Sequence, residues 1–571
     1  MTRKYPDVSD SDFYEEITRT FSRYKIPKKK KTFRQICYPK KYEFQLPQQF
    51  LGAFMNPKTP YKGVLVFHRI GAGKTCASIR VAESFKNVRR IVVVLPASLK
   101  GNYRAELRTP CAGNAYLTNA ERAELRRLDP ASKEYKAIIK RSDTRIDRYY
   151  TIYSYNKFTD LIKTGDMDLS NTLLIIDEVH NMISETGIYY ELLHGVIHSA
   201  PDDLRLLIMT ATPIFDKPME IALTMNLIIR DRQLPTGLEF VSTFMNIEET
   251  PKGPIYHTKN MDEFKNYIKG YVSYYQGAPS YAYPKSVTHF VRTKMSDFQN
   301  KLYRRVLNLE SNLPVSKLDD YVNNDISNSF FIGTRTISNI VFPNRRIGQE
   351  GFDSLRDSDL TMANIGKYSP KFRKIIRKIK KCEGTVFVYS SFKEFGGIRS
   401  FVRLLEHHHF KNYEYHGSGL KRYAIWSGDQ DVYLKDEIKA VFNNPENADG
   451  SRIKVILGSP AIKEGVSLFR IQEVHLIEPY WNFSRMEQII GRAIRFCSHK
   501  DMPSDKQLVN VYIYMAFYPG TISVDEYIMK IALQKRQIKK SFERALMEAA
   551  VDCKLFEHGN ATEGESIKCD T

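Results

Sequence analysis

The chain has 571 residues, 42% hydrophobic and 26% charged, an ordinary globular composition in a chain too long for a single core, so two or three domains are expected. Lys plus Arg (86) exceed Asp plus Glu (65) by 21, and such a basic surplus points to a polyanionic partner, nucleic acid first. No apolar run approaches the ~18–20 residues of a membrane span, and the polar start MTRKYPDVSDSDFYEE is not a secretory signal. The seven cysteines form no C-x-x-C pair, which indicates neither a zinc site nor a disulfide framework and suggests a reducing compartment.

In chain order, residues 1–45 read as a basic N-terminal extension. Its run Pro27-Lys28-Lys29-Lys30-Lys31 is a solvated tether, a targeting signal or a phosphate contact. Residues 46–285 carry a first series of apolar, partly β-branched runs at 63–67, 90–96, 150–155, 172–177 and 204–210. Helical patterns separate them, as in a parallel sheet covered on both faces. Residues 286–366 hold a strand, a helix and the Asn- and Asp-rich LDDYVNNDISNS, and read as a connector. A second strand series occupies 367–520, at 384–391, 422–428, 453–459, 473–479 and 509–517. From 521 to 571, Ile531, Ile538, Phe542, Ala545 and Ala549 recur at helical spacing among Lys535, Arg536, Lys539, Lys540 and Arg544. This predicts a helical C-terminal tail with a basic polar face, set against the second domain or against nucleic acid. The expected fold class is α/β, with two tandem parallel-sheet domains, a connector and that tail.

The first strand of the first series leads into HRIGAGKT. The phosphate-loop spacing G-x-x-x-x-G-K-S/T asks for glycine five residues before Gly73, where His68 stands. The context still fits such a loop. Val64-Leu65-Val66-Phe67 precedes it as a buried strand, and CASIRVAESF follows as an uninterrupted helix. Backbone N–H groups and the helix dipole at such a junction attract phosphate. The expected nucleotide-binding residues are therefore His68, Arg69, Ile70, Gly71, Ala72, Gly73, Lys74 and Thr75. Lys74 would reach the outer phosphates and the Thr75 hydroxyl would bind Mg²⁺. Taken alone, the octet is also compatible with a plain strand–turn–helix.

Ligands of open α/β sheets bind beyond the carboxyl ends of the strands. LLIIDEVHN puts Asp177 and Glu178 there, and two carboxylates after an apolar run are costly unless they face a cleft or a metal. Asp177 suits Mg²⁺ and Glu178 suits polarising an attacking water. His180, with Thr210 and Thr212 of MTATP, suits a coupling relay, although TATP alone reads as a turn. In the second series, GSPAIKEGVSL (458–468) and EPYWNFSRMEQIIGRAIR (478–495) follow strands. Gln488, Arg492 and Arg495 are spaced i, i+4, i+7, which predicts one helical face aimed at a transferring phosphoryl group. An ordinary surface helix is the alternative.

In this order the motifs resemble those of superfamily 2 helicases and translocases over residues 45–520. Gly71–Thr75 matches motif I, Asp177–His180 motif II (a DEVH box), Thr210–Thr212 motif III, Gly458–Leu468 motif V and Gln488–Arg495 motif VI. Gln49 in LPQQFLGAF looks like the family's adenine-reading glutamine. The resemblance implies two RecA-like domains that bind ATP and Mg²⁺. Residues 46–285 would hold motifs Q, I, Ia, II and III, and residues 367–520 motifs IV, V and VI. It places Lys74, Glu178, Gln488, Arg492 and Arg495 in catalysis, with the two arginines acting across the cleft between domains. The glycine that His68 replaces is often absent from the chromatin-remodelling branch, which MSDFQNKLY (295–303) also resembles. GYVSYYQG (270–277), SNIVFPN (338–344), YSPKFRKI (368–375) and ERALMEAAVDCKLF (543–556) are similar to the helicase-type ATPases of large cytoplasmic DNA viruses. That family includes poxvirus nucleoside triphosphate phosphohydrolase I and the small subunit of the early transcription factor. It implies a DNA-dependent ATPase of viral transcription, in initiation or termination, with DNA favoured over RNA. Implied partners are viral RNA polymerase or transcription factor subunits, with no membrane, and the implied location is the virion and host cytoplasm. Ser467 departs from the Asp or Asn frequent in motif V. An ATP-dependent RNA helicase, and a transcription factor subunit that chiefly binds promoter or polymerase, stay open as alternatives.

Overall fold

The computed structural model describes residues 5–29, 31–129, 132–183, 187–248, 255–311, 331–428, 430–463, 466–561 and 567–570. Two compact units emerge, residues 1–280 with 537–571 (unit 1) and residues 281–536 (unit 2).

Unit 1 contains β1 (Gly63–His68), β2 (Arg90–Leu95), β3 (Tyr150–Ser154), β4 (Thr172–Asp177) and β5 (Arg205–Thr210). It adds an antiparallel pair, β6 (Met245–Glu248) with β7 (Ile255–Thr258), and then β8 (Val272–Tyr275). The main sheet is ordered β3-β2-β4-β5-β1-β8 and is parallel throughout. Each of the five expected apolar runs forms a strand. β1 and β4 are buried along their whole length, as strands covered on both faces must be. β8, inside GYVSYYQG, supplies the sixth.

The expected N-terminal extension is part of this core. The helix Phe13–Thr20 buries Phe13 and Ile17, and Phe21 packs edge-on against Phe50 at 5.3 Å. In the following lysine run Lys28, Lys29 and Lys31 are exposed, and Lys30 lies outside the described residues. The far end of the chain joins the same unit. Phe542 stacks on Phe240 at 5.4 Å, and Phe556 meets Phe50 edge-on at 5.5 Å.

Unit 2 contains β9 (Lys285–Lys294), β10 (Thr385–Tyr389), β11 (Lys411–Asn412), β12 (Arg422–Trp426), β13 (Val455–Gly458), β14 (Ile471–Leu476) and β15 (Leu508–Phe517). They form a parallel sheet ordered β11-β12-β13-β10-β14-β15-β9. The expected connector is built into this unit. β9 pairs with β15 over all 10 of its residues, and Leu302, Tyr303 and Ile337 share the core with Val386 and Phe387. The Asn- and Asp-rich stretch within 312–330 lies outside the described residues. The helix Val524–Glu548 starts in unit 2, burying Val524, Ile528, Ile531 and Ala532, and is counted with unit 1 from Gln537. Its basic face is not wholly solvated, since Lys535 and Lys539 are 4% and 7% exposed.

The cysteines overturn an expectation. Cys76 is bonded to Cys111 and Cys553 to Cys569, with sequence separations of 35 and 16. Folding brings together residues that no local spacing pairs. No described helix is long and apolar enough to cross a membrane.

Candidate nucleotide site

β1 ends at His68, fully buried and in register with Tyr275 of β8. The position where the loop spacing asks for glycine is thus the last residue of a strand, and His68 has no positive φ. Gly71 (φ 83°) and Gly73 (φ 75°) do occupy the left-handed region, where a side chain is strained. A Cβ on Gly73 would also lie 2.5 Å from Gln48 Nε2. The helix Lys74–Phe85 begins directly after Gly73, so its N-terminal N–H groups open onto the loop. Lys74 Nζ donates to the His68 carbonyl at 3.3 Å.

Gln48 reaches this loop, one residue before Gln49, the expected adenine reader. Gln48 Nε2 donates to the Gly73 carbonyl at 3.3 Å, whereas Gln49 Nε2 donates to the Phe44 carbonyl at 3.1 Å. The helix Leu46–Phe54 decides between them. Gln48 and Leu51 stand at i, i+3 on its buried side.

β5 lies between β1 and β4, with Thr210 opposite Phe67 and Met209 opposite Asp177. Motifs far apart in sequence therefore meet at one sheet edge. Asp177, the last residue of β4, is 7% exposed, and its Oδ1 accepts the Glu178 N–H at 3.0 Å. Burial, and then the Glu178 carboxylate, push its pKa up to about 7, with Lys74 opposing. A buried carboxylate so short of donors is stabilised by a cation. With the Thr75 hydroxyl it offers hard oxygen ligands of the kind Mg²⁺ takes.

Glu178 holds φ 52°, uncommon for a residue with a side chain. Its backbone is fixed from outside. The Tyr155 hydroxyl donates to the carbonyls of Asp177 and Glu178, at 2.9 Å for the latter, and the Asn181 N–H donates to the Glu178 carbonyl at 3.0 Å. Strain held in place this way clusters at functional sites. His180 Nδ1 lies 3.1 Å from Thr210 Oγ1, 3.4 Å from Glu178 Oε2 and 3.5 Å from Thr212 Oγ1. Its ring stacks on Phe215 at 5.4 Å. The structure thus brings Glu178, His180, Thr210 and Thr212 into one cluster. Sequence reading missed Tyr155, whose partner carbonyls are 22 and 23 residues away.

In unit 2 the expectation of one helical face carrying Gln488, Arg492 and Arg495 fails. The helix Phe483–Ile490 includes Gln488 but ends before both arginines. The Leu468 N–H donates to the Arg492 carbonyl at 2.9 Å, and Arg495 Nη2 donates to the Val466 carbonyl at 3.3 Å. The chain after Gly491 goes on in tight turns, with the N–H groups of Arg492 and Ala493 donating to the Ile489 and Ile490 carbonyls, while Arg492 and Arg495 also bond to the 458–468 segment. Within that segment Glu464 and Gly465 lie outside the described residues.

Two family models match the chain: the type III restriction enzyme res subunit over residues 37–215, and the helicase conserved C-terminal domain over residues 370–497. Together they define a superfamily 2 helicase core. A protein of Acanthamoeba polyphaga mimivirus, named as an ATP-dependent RNA helicase, is 65% identical over 99% of this chain and 99% of its own length. A termination factor NPH-I homolog of African swine fever virus is 24% identical over 88% of this chain and 78% of its own. Among solved structures, the Pyrococcus furiosus Hef helicase domain covers 83% of this chain and 95% of its own, with 14% identity and a TM-score of 0.40. The chain belongs to the superfamily 2 helicases of large DNA viruses.

Proposed function

We propose that this chain couples ATP hydrolysis to movement along nucleic acid, with DNA as the track, in the transcription of a large DNA virus. One observation carries the reading. In unit 1 a loop on two left-handed glycines stands at the same sheet edge as Asp177, whose carboxylate accepts one hydrogen bond among the described residues, from the Glu178 N–H.

In this reading the backbone of His68–Thr75, with Arg69, Ile70 and Ala72 between, encloses the phosphates. Lys74 leaves the His68 carbonyl for the outer phosphates. Thr75 and Asp177 hold Mg²⁺, which when bound neutralises phosphate charge. Glu178 orients water and takes its proton. His180, Thr210 and Thr212 report on that carboxylate through the hydrogen bonds they share. Gln488, Arg492 and Arg495 supply polar and positive groups to the phosphoryl group in transfer, a role supported by the motif alone. Lys74→Ala should abolish turnover, and a wild-type rate in the purified variant would sink the assignment. Arg492→Ala should lower kcat far more than ATP affinity, and equal losses would argue against charge stabilisation.

The similarity to a viral termination factor homolog supports a role in viral transcription; DNA as the track, viral RNA polymerase or transcription factor subunits as partners, and virion and host cytoplasm as the location belong to the proposal. A net charge of +21 favours phosphate backbones without distinguishing the sugar. The second reading is an ATP-dependent RNA helicase, favoured by the name of the 65% identical relative. Steady-state ATPase at fixed low salt, with no nucleic acid, single-stranded DNA, duplex DNA or RNA, separates them. Stimulation by DNA and not RNA supports the first reading. Equal or better stimulation by RNA moves the assignment to the second.

A further inference from the structure

The nucleotide loop is held at its entry by the distant end of the chain. Asp552 is fully buried, and both its oxygens are engaged. Oδ1 accepts the Tyr274 N–H at 2.9 Å, and Oδ2 accepts the Ser273 hydroxyl. Ser273 Oγ lies 3.0 Å from His68 Nε2, and the His68 carbonyl is where Lys74 Nζ rests. The next loop residue is held separately. Arg69 Nη2 pairs with Glu543 Oε2 at 3.2 Å, and Glu543 is only 5% exposed at its side chain. The Arg69 N–H donates to the Tyr275 carbonyl at 3.0 Å. Around these contacts the C-terminal segment bonds to β8 and the residue after it. The Val551 N–H donates to the Val272 carbonyl at 2.8 Å, and Asn560 Oδ1 accepts the Gln276 N–H at 2.8 Å. β8 is the edge strand of the sheet, so this segment satisfies polar groups that another strand would otherwise take.

We infer that Asp552 and Glu543 are positioning residues for the nucleotide loop: from the C-terminal segment they set the His68 backbone that aligns Lys74, and the Arg69 side chain beside it. The inference rests on the reading of this loop as the ATP site. Burial lifts the Asp552 carboxyl to about 7, with the Ser273 and Tyr274 bonds opposing. The direction of the hydrogen-bond chain is also specified. Above about pH 7, where Asp552 is ionised, it only accepts, so Ser273 donates to it and accepts from the Nε2–H of His68. His68 Nδ1 has no hydrogen-bond partner among the described residues. Burial and Lys74 lower the His68 pKa to about 3, so the ring is neutral. Asp552→Asn keeps the shape and the acceptor for Tyr274 but turns a donor toward Ser273. The Ser273 hydroxyl must then donate to His68, which moves the ring proton to Nδ1.

The test uses the full chain, a fluorescent ATP analogue with Mg²⁺, and amide hydrogen exchange of residues 68–75. Asp552→Asn and Glu543→Gln are compared with Leu546→Ala, a buried change on the same helix as Glu543. The two polar variants should weaken analogue binding about tenfold. They should also speed exchange in the loop and weaken binding by a larger factor than they lower kcat at saturating ATP. Glu543→Asp should recover part of the affinity. Leu546→Ala should lower Tm and leave affinity unchanged. The inference is overturned if loop exchange is unaltered in both polar variants, or if affinity tracks Tm equally in all three. If the wild type binds no ATP analogue, the ATP reading fails by itself, and loop exchange still decides the positioning claim.

Discussion

Asp177 and Glu478 stand at the carboxyl ends of interior strands, β4 in one sheet and β14 in the other, and both are buried, at 7% and 3% exposure. Their surroundings differ. Asp177 receives the Glu178 N–H and faces a second carboxylate. Glu478 receives the Ser390 hydroxyl at 3.0 Å, the Asn339 amide at 2.8 Å and the Ser391 N–H at 2.5 Å. Asn339 in turn accepts Lys371 Nζ at 2.9 Å, and Lys371 pairs with Asp525 at 2.6 Å, each 1% exposed. Burial raises both carboxyl pKa values, but around Glu478 the Ser391 bond, Lys371 and Arg335 pull back. A strand end that satisfies its own carboxylate locks the fold. In the proposed reading, one that leaves it with fewer donors keeps a place for Mg²⁺.

A large effect should come from the side chain next to Asp177. Glu178→Gln is expected to cut kcat roughly 10²–10⁴-fold in steady-state ATPase, the range for losing a general base. A loss below tenfold would remove Glu178 from the chemistry. In the second region, Lys371→Met should cost about 3–5 kcal/mol in denaturant unfolding, because it leaves Asp525 buried without its cation. Asp177→Asn should abolish Mg²⁺-dependent turnover and yet leave the Tm of the nucleotide-free protein equal or higher, since it removes a poorly compensated charge. Glu478→Gln should lower Tm. Similar Tm losses in these last two variants would erase the contrast.

A pH series sharpens the same contrast. The Asp177 pKa rises from 3.8 to about 7 on folding, so the folded form binds more protons between those values. Stability contributed by this group is therefore present below about pH 4 and lost as pH rises through about 7. Asp552 and Glu220, lifted to about 7 by burial, act in the same direction. Differential scanning of wild type against Asp177→Asn isolates one group: the variant should gain relative Tm from pH 5 to pH 8. A gap that does not change with pH would mean that Asp177 titrates normally. The smallest effect belongs to the glutamines. Gln48→Ala should raise the KM for ATP about threefold, as the loss of one neutral hydrogen bond does, and Gln49→Ala less.

What the sequence determined by itself was whatever repeats or clusters locally. Strand runs such as TLLIID announce themselves because a strand covered on both faces must be apolar throughout. Gly71, Gly73, Lys74 and Thr75 were legible because a phosphate loop needs those residues at fixed spacing between a strand and a helix. Asp177 and Glu178 were legible because paired charges after an apolar run are costly without a purpose. The tertiary structure alone decided the rest. It ended the motif VI helix at Ile490, where the spacing of Gln488, Arg492 and Arg495 had suggested one continuous face. It drew the N-terminal helix and the last part of the chain into unit 1, and paired Cys76 with Cys111. It joined Ser273 to Asp552 across 279 residues and Arg69 to Glu543 across 474. The physical reason is that periodicity and spacing record interactions along one element, whereas a hydrogen bond between distant segments depends on where the fold carries both partners and leaves no trace near either.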